Sequence, residues 1–317
     1  MPSKKRAEKS GKVAIIGAGY VGSTAAYALL MDGAASEIAL IDVNREKAEG
    51  EAMDLSHGMQ FKPDTKISFG SDYKLCKDAE IVVLCAGAHQ KPGETRLDLV
   101  RKNSAILKEM VPKIVKNNKD CIILVVANPL DVLTYLTLRY SKFPSSRVFG
   151  SGTILDTARF RYMLGEYFEV SPDSVHAYIL GEHGDSSFPV WSAANIAGVD
   201  LRHFRKYSQK AMGKIYQKTK NAAYEVIAKK GATYYAIGLG IAKIVRSILS
   251  NKNNVLALST YLKNYHGISG VCLSVPCVVN RNGIREQIII PLNSLEKKQL
   301  KKSASVIKGI INNCGKL

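Results

Sequence analysis

The chain has 317 residues, of which 46% are hydrophobic and 23% charged, and its formal net charge is +18. This is the composition of a globular protein, and it excludes a disordered or fibrous chain. The longest apolar runs, such as residues 121–127, are far shorter than the roughly 20 residues that a membrane helix needs, so no transmembrane segment is predicted. At roughly 100–200 residues per domain, the length predicts about two domains.

The positive charge is unevenly distributed along the chain. Residues 11–200 hold 20 Lys and Arg against 23 Asp and Glu, whereas residues 201–317 hold 21 against three. Residues 1–10 add four cations and one anion, and we interpret them as a short basic arm. A basic segment is typical of a solvated outer face or of a protein that binds nucleic acid. No recognised nucleic-acid-binding module accompanies it, which favours the solvated face.

The first 150 residues alternate short apolar runs with longer helical patterns. The predicted strands are Lys12–Ile16, Glu37–Asp42, Ile81–Ala86, Cys121–Ala127 and Arg147–Phe149. The predicted helices are Tyr20–Met31, Arg45–His57, Leu97–Asn117 and Leu130–Tyr140. Because the strands are apolar throughout and alternate with helices, the pattern predicts an α/β unit with a doubly wound parallel sheet covered on both faces.

The rest of the chain has a different pattern, which places a domain boundary near residue 150. A helix at Leu155–Phe168 and an extended run at Val175–Leu180 precede two long helices, near Leu201–Lys229 and Thr233–Leu249. Three alternating runs follow and predict antiparallel strands. They are Asn254–Tyr261, Val271–Val279 and Ile284–Ile290, and a basic amphipathic helix at Ser294–Ile311 ends the pattern. This second part reads as an α+β domain with antiparallel strands.

The six cysteines show neither a C-x-x-C pair nor the spacing of a zinc site, so no metal site is predicted. Several of them lie in apolar runs, where cysteine behaves as a small hydrophobic residue. Reduced thiols of a cytoplasmic protein are the simplest interpretation. The first residues lack the apolar core of a secretory signal.

A dinucleotide site is predicted directly after the first strand. Residues 17–22 read Gly-Ala-Gly-Tyr-Val-Gly, a G-x-G-x-x-G turn that opens a helix. Such a turn lets a pyrophosphate approach the backbone and the helix N-terminus. Asp42, at the end of the second strand and 20 residues after Gly22, can bind the ribose 2′-hydroxyl and would repel a 2′-phosphate. The sequence therefore predicts a Rossmann sheet that binds NAD in preference to NADP.

Candidate groups for acid–base chemistry lie in the second part. His183 lies in the glycine-flanked run Gly-Glu-His-Gly-Asp and can exchange a proton near neutral pH. Asp156 and Arg159 are three residues apart on one predicted helix and share a face. Asp156 could orient and stabilise His183, and Arg159 could bind a substrate carboxylate through two hydrogen bonds. A turn histidine and a surface ion pair fit the same spacing, so spacing alone leaves both alternatives open.

Several long motifs, in order, resemble the lactate/malate dehydrogenase family, and within it the L-lactate dehydrogenases. The matching runs are GAGYVG, IALIDV, AGAHQKPGETRLDLVRKN, VANPLD, SGTILDTARFR, GEHGDSS, KGATYYAIG and VVNRNGIRE. The resemblance extends from Lys12 to the C-terminal helix. It implies NAD as cofactor and reversible hydride transfer between NADH and pyruvate, which gives L-lactate. The same fold acting on malate or another 2-hydroxy acid is the nearest alternative.

The resemblance also implies roles for individual residues. His183 matches the catalytic acid/base, Asp156 its orienting partner, Arg159 the carboxylate clamp and Arg96 the arginine that polarises the keto oxygen when its loop closes. Asn128 and Thr233 match substrate-site residues. The implied cofactor contacts are Gly17, Gly19, Tyr20, Val21, Gly22, Asp42, Ala86, Gly87, Asn128 and Ile237.

Gln90 matches the position that selects the substrate. Malate enzymes carry an arginine there for the second carboxylate, whereas a neutral Gln90 would leave oxaloacetate with a buried charge and no cation. Pyruvate has only a methyl group at that end, so Gln90 favours pyruvate.

The resemblance extends to regulation and assembly. Arg161 and His176 match positions at which bacterial lactate dehydrogenases bind fructose 1,6-bisphosphate between subunits, and paired cations suit phosphates. Residues that merely pack or face solvent would explain both positions as well. A cytoplasmic homotetramer that works in glycolysis and pyruvate fermentation is implied. The expected division is a basic arm at 1–10, a dinucleotide-binding domain at 11–150 and a substrate domain at 151–317.

Overall fold

The computed structural model describes residues 11–61, 65–88, 93 and 95–314, except for the side chains of Arg96 and Cys314. The strands are, in chain order, β1 (Lys12–Ile16), β2 (Glu37–Ile41), β3 (Lys66–Gly70), β4 (Ile81–Leu84), β5 (Ile122–Val125), β6 (Val148–Gly150), β7 (Val175–His176), β8 (Ile179–Leu180), β9 (Phe188–Pro189), β10 (Asn195–Ile196), β11 (Val199–Asp200), β12 (Asn254–Tyr261), β13 (Cys272–Asn280) and β14 (Gly283–Gln287). The helices are α1 (Tyr20–Asp32), α2 (Arg45–His57), α3 (Arg96–Asn117), α4 (Leu130–Ser141), α5 (Ile154–Phe168), α6 (Gln209–Lys230), α7 (Tyr235–Leu249) and α8 (Ser294–Cys314).

Nine strands form one sheet in the order β14-β13-β12-β6-β5-β4-β1-β2-β3. The six strands from β6 to β3 are all parallel, and the chain crosses over at β1, which pairs with both β2 and β4. Strand β12 joins the edge of β6 antiparallel, where Ser259 faces Gly150, and β13 and β14 continue antiparallel. The predicted fold class is confirmed, and the antiparallel strands extend the parallel sheet itself.

The apolar sequence of the central strands reflects burial on both faces. All four residues of β4 and of β5 are buried, because helices cover the sheet on either side. A separate apolar cluster lies outside this sheet, where α5 and α6 pack on the small strands. It contains Phe160, Leu164, Phe168, Val175, Ala177, Ile179, Ala194, Ile196, Leu201, Met212 and Ile215.

Several element boundaries differ from the sequence prediction. Strand β3 was not predicted. The extended run at residues 175–180 is two short strands, β7 and β8, which pair with β10 and β9 in two different small sheets. The first long helix begins at Gln209 rather than Leu201, because Ser208 caps it by accepting a hydrogen bond from the amide of Ala211 at 3.4 Å.

Within the described ranges, the helices are all too short or too polar to cross a bilayer. The same residues contain no group of three or more His, Cys, Asp or Glu that could hold a metal ion. The five cysteines whose side chains are described, Cys76, Cys85, Cys121, Cys272 and Cys277, are free thiols.

Candidate active site

The glycine-rich turn after β1 packs tightly on its inner side. Gly17 has a φ of +100°, and a Cβ built there would lie 2.6 Å from the backbone nitrogen of Ala86. A Cβ at Gly22 would lie 1.8 Å from the carbonyl oxygen of Gly17. Only glycine fits at these two positions, since any side chain would force the turn away from the sheet.

The outer side of the same turn is open. A Cβ at Gly19, the N-cap of α1, would meet no heavy atom within 4 Å. The first turn of α1 carries no acidic residue, so its free N–H groups and positive dipole end face this open space. The turn therefore has the shape and the polarity that a pyrophosphate requires.

Asp42 lies at the end of β2 and ties the turn to the next strand. Its Oδ2 accepts a hydrogen bond from the amide of Ala18 at 2.7 Å, and its Oδ1 accepts one from the amide of Asn44 at 3.0 Å. The carboxylate is thereby fixed beside the glycine turn, as recognition of a ribose hydroxyl requires.

A cleft of about 1000 Å³ runs along the carboxyl ends of the parallel strands. Its wall contains ten of the predicted site residues, namely Gly17, Gly19, Tyr20, Val21, Gly22, Asp42, Ala86, Gly87, Asn128 and Thr233. Ala88, from the quoted AGAHQ run, also lines it. Ile237 packs partly buried against the main core instead. The wall also contains residues that sequence reasoning missed, among them Val43, Lys47, Tyr73 and Lys113. Val43 is 93% exposed and directly follows Asp42, so its side chain is accessible to a ligand in the cleft.

Asn103 was also missed, and it holds one end of the cleft together. Its Oδ1 accepts a hydrogen bond from the amide of Ala88 at 2.7 Å, and its Nδ2 donates to the carbonyl of Asn128 at 2.7 Å. The side chain is 2% exposed. It joins α3 to two cleft-wall segments that lie 15 and 25 residues away in sequence.

Asp156, Arg159 and His183 form one hydrogen-bonded group. His183 Nδ1 lies 2.7 Å from Asp156 Oδ2, and an Arg159 guanidinium nitrogen donates to Asp156 Oδ1 at 3.4 Å. Helix α5 presents Asp156 and Arg159 on one face, as their spacing predicts. The long contact at 3.4 Å leaves the planar end of the guanidinium able to bind a carboxylate through two N–H groups.

The charges of this group favour the protonated imidazole. Burial lowers the pKa of His183, but the charge and hydrogen bond of Asp156 and the charge of Asp131 outweigh burial and raise the pKa above its usual value. Burial raises the pKa of Asp156, but the charge of His183, its hydrogen bond and the charge of Arg159 reverse that effect and lower it. Both shifts favour a protonated imidazole beside an ionised carboxylate, the arrangement that suits a general acid.

Three elements hold the loop that carries His183. The amide of Gly181 donates to the carbonyl of Ser274 on β13 at 3.0 Å, and the amide of Glu182 donates to Ser303 Oγ on α8 at 2.6 Å. The amide of His183 donates to Asp131 Oδ2 on α4 at 2.7 Å. Three successive N–H groups are thus satisfied by three different elements, which fixes the loop against movement.

The remaining predicted residues are less fully described. Gln90 lies outside the described residues. Arg96 begins α3, where Thr95 caps the helix by accepting from the amide of Asp98 at 3.2 Å, but its side chain is not described.

Arg161 and His176 lie on adjacent segments. The Arg161 Nε donates to the carbonyl of Ala177 at 2.9 Å, and its guanidinium lies 5.0 Å from the centre of the Tyr178 ring. His176, the residue before Ala177, is exposed on β7. The hydrogen bond of Arg161 therefore holds its side chain against the residue that follows His176.

Comparison with known proteins agrees with this geometry. The family model "lactate/malate dehydrogenase, NAD binding domain" matches residues 11–150, and "lactate/malate dehydrogenase, alpha/beta C-terminal domain" matches residues 153–316. The chain is 51% identical over 305 residues to the L-lactate dehydrogenase of Acetivibrio thermocellus, which covers 95% of this chain and 96% of that protein. It is 52% identical over 309 residues to the L-lactate dehydrogenase of Bacillus velezensis, which covers 96% and 97%.

Solved structures show the same similarity. The minor L-lactate dehydrogenase of Enterococcus mundtii superposes with a TM-score of 0.92 at 43% identity, covering 95% of this chain and 98% of that chain. A lactate dehydrogenase from a deep-sea metagenome superposes with a TM-score of 0.93 at 41% identity, covering 96% and 98%. Because the family models match residues 11–150 and 153–316, and relatives that are 51% and 52% identical cover nearly the whole chain, the protein belongs to the lactate/malate dehydrogenase family.

Proposed function

We propose that the protein is an NAD-dependent L-lactate dehydrogenase, which reduces pyruvate to L-lactate and runs in reverse. The observation that carries this proposal is the His183–Asp156–Arg159 group, whose loop is hydrogen-bonded to Asp131, three residues after Asn128 of the cleft wall. A proton donor and a carboxylate clamp are the two groups that reduction of a 2-keto acid requires from the protein.

The described residues fit the cofactor. The open outer side of the turn at Gly19 has room for the pyrophosphate, and Asp42 is held where a ribose hydroxyl can be bound. When bound, NADH supplies the hydride that reduces the carbonyl carbon. Asp42 and Val43 would hold the adenosine end of the cofactor, and Asn128 and Thr233 would line the part of the cleft that receives the other end.

The residues of the second part perform the proton chemistry. Arg159 binds the carboxylate of pyruvate and so places the keto carbon. Protonated His183 donates its Nε2 proton to the keto oxygen as negative charge grows there, and Asp156 stabilises the imidazolium before this transfer. We assign to Arg96 the role of stabilising the oxygen from its other side, and to Gln90 the selection of pyruvate over oxaloacetate. Each preorganised donor of this kind contributes about 10²–10³ in rate.

The test is oxidation of NADH with pyruvate, oxaloacetate and 2-oxoisocaproate in parallel. We expect the highest kcat/KM with pyruvate, and a preference for either other acid contradicts the proposal. Gln90→Arg should move the preference toward oxaloacetate. An unchanged ratio of the two kcat/KM values in that variant contradicts the role of Gln90.

We further propose fructose 1,6-bisphosphate as an effector that binds at Arg161 and His176. The hydrogen bond that holds Arg161 to the residue after His176 supports this, since paired basic side chains suit a phosphate. Pyruvate kinetics with and without the sugar bisphosphate test it, and an unchanged KM and an unchanged assembly in its presence contradict it. Arg161→Gln should abolish the response.

For organisation, we propose the division into a basic arm (1–10), a dinucleotide-binding domain (11–150) and a substrate domain (151–317). The match of two family models to 11–150 and 153–316 supports it. We also propose a homotetramer, to be tested by light scattering, and a cytoplasmic location, which the free thiols support.

A further inference from the structure

A buried carboxyl group lies beneath the catalytic loop and has no part in the mechanism above. Asp131, in the first turn of α4, is 2% exposed. Its Oδ2 accepts the hydrogen bond from the amide of His183, and its Oδ1 accepts one from Ser259 Oγ at 2.6 Å. Both oxygens are therefore engaged, one by the main chain of the proposed acid.

Such a carboxylate is costly to bury. Burial raises the pKa of Asp131 to about 6, although the hydrogen bonds of Ser259 and the His183 amide and the charge of His183 oppose the shift. Glu182, on the same loop, raises it further. Burial together with the Asp131 charge also raises the pKa of the Cys272 thiol on β13 well above its usual value. A neutral amide could accept the same backbone hydrogen bond at a lower desolvation cost.

The charge of Asp131 acts on the residue that it holds. The groups that act on the His183 imidazole are Asp156 and Arg159 on α5 and Asp131 on α4. Asp156 bonds the ring itself, whereas Asp131 bonds the backbone and contributes its charge through space. Of the three anchors of the loop, Ser274, Ser303 and Asp131, only the last is ionisable.

We propose that Asp131, oriented by Ser259, is a positioning residue for the dehydrogenase reaction. It fixes the His183 backbone so that the imidazole ring meets Asp156, and its negative charge favours the imidazolium. This inference rests on the proposed function. Asn128 in the cleft wall lies only three residues before Asp131. One short segment therefore contacts both the cofactor cleft and the loop that donates the proton.

The test is Asp131→Asn, which keeps an oxygen to accept from His183 and an amide to donate to Ser259. We expect the affinity for NADH to stay unchanged and kcat for pyruvate to fall about three- to tenfold near neutral pH. The alkaline limb of kcat/KM, where His183 loses its proton, should move to lower pH by about half a unit to one unit. Ser259→Ala leaves the Asp131 carboxyl group charged but less firmly oriented. We therefore expect kcat to fall about threefold, while the alkaline limb of kcat/KM stays near its wild-type pH.

Thr137→Ala is the matched control. Thr137 lies on the same helix, is fully buried and donates to the carbonyl of Leu133 at 2.7 Å. Its loss should lower stability and leave kcat and the pH limb unchanged. If Asp131→Asn behaves like Thr137→Ala, the inference is wrong. If Asp131→Asn does not fold, an unchanged kcat in Ser259→Ala overturns it. A wild-type protein that reduces none of the 2-keto acids would instead overturn the proposed function.

Discussion

The hydrogen bond between Asp156 and His183 makes the strongest prediction for the reaction. Asp156→Asn removes the negative charge and keeps an oxygen that can accept from the protonated ring. The carboxylate lies 2.7 Å from Nδ1, and its side chain is 18% exposed. The substitution therefore tests the charge with little change in shape.

The expected loss of interaction energy follows from the distance between Asp156 and His183. Attraction between unit charges at 2.7 Å is about 6 kcal/mol at an effective dielectric constant of about 20. Desolvation and the retained neutral acceptor reduce the net loss to about 1.5–3 kcal/mol, the range for hydrogen bonds to charged groups. This loss corresponds to a fall of about one to two units in the pKa of His183 and to about a ten- to hundredfold loss in kcat/KM.

The assay is NADH oxidation with pyruvate from about pH 5 to about pH 9, because His183 must be protonated to donate. In the wild type, kcat/KM should decline as pH rises through a pKa that lies above the usual histidine value. In Asp156→Asn the same decline should begin at lower pH. Asp185→Asn, an exposed neighbour on the same loop, should keep the wild-type profile. A decline at the same pH in Asp156→Asn and in the wild type would refute the reasoning.

Two further predictions concern the glycine turn and the ion pair that joins α7 to α1. Gly22→Ala should lower both stability and NADH affinity, because its Cβ would lie 1.8 Å from a carbonyl oxygen. Gly19→Ala has open space in the free protein, so thermal unfolding should be unchanged while fluorescence titration shows weaker NADH binding. Arg246→Ala removes hydrogen bonds from α7 to the Asp32 carboxylate at 2.7 Å and carbonyl at 2.6 Å, and should cost about 1–2 kcal/mol in urea unfolding. Arg202→Ala, whose pair with Asp200 is solvent-exposed, should leave the urea midpoint in place.

Sequence patterns predicted the elements whose local signals are strong. The parallel strands are apolar throughout because they are buried on both faces, and the glycine turn needs glycine for steric reasons that any homologous turn shares. Strand β3 escaped prediction because it lies at the sheet edge and is only partly buried, so Lys66–Gly70 has no continuous apolar pattern. The start of α6 was predicted too early, at Leu201, because basic residues lie on both sides of Ser208 and the composition does not change there. The start of the helix depends on the hydrogen bond by which Ser208 caps it.

The candidate site likewise contains residues that sequence patterns predict and residues that only the structure identifies. Asp156 and Arg159 were predictable as a pair because helix geometry alone places residues three apart on one face. That His183 meets Asp156 depends on folding across 27 residues, so the spacing left it as one of two alternatives and the family resemblance favoured it. Asn103, Asp131 and Ser303 act through long-range hydrogen bonds to backbone groups. Such bonds leave no periodic or compositional signal, so the structure was needed to find them.

The cationic excess of the last third can be tested separately from the chemistry. On α8, Lys297, Lys298, Lys301 and Lys302 are exposed, while the buried face of the helix supplies Ser303 to the catalytic loop. No residue of α8 is found in the described wall of the cleft. Replacing the four lysines by glutamate should change kcat/KM for pyruvate by less than about twofold at about 0.15 M salt, where the Debye length is about 8 Å. A clear fall only at about 0.01 M salt would show long-range steering of the anionic substrate. A large fall at the higher salt concentration would contradict a solvated outer face and give these lysines a direct part in catalysis.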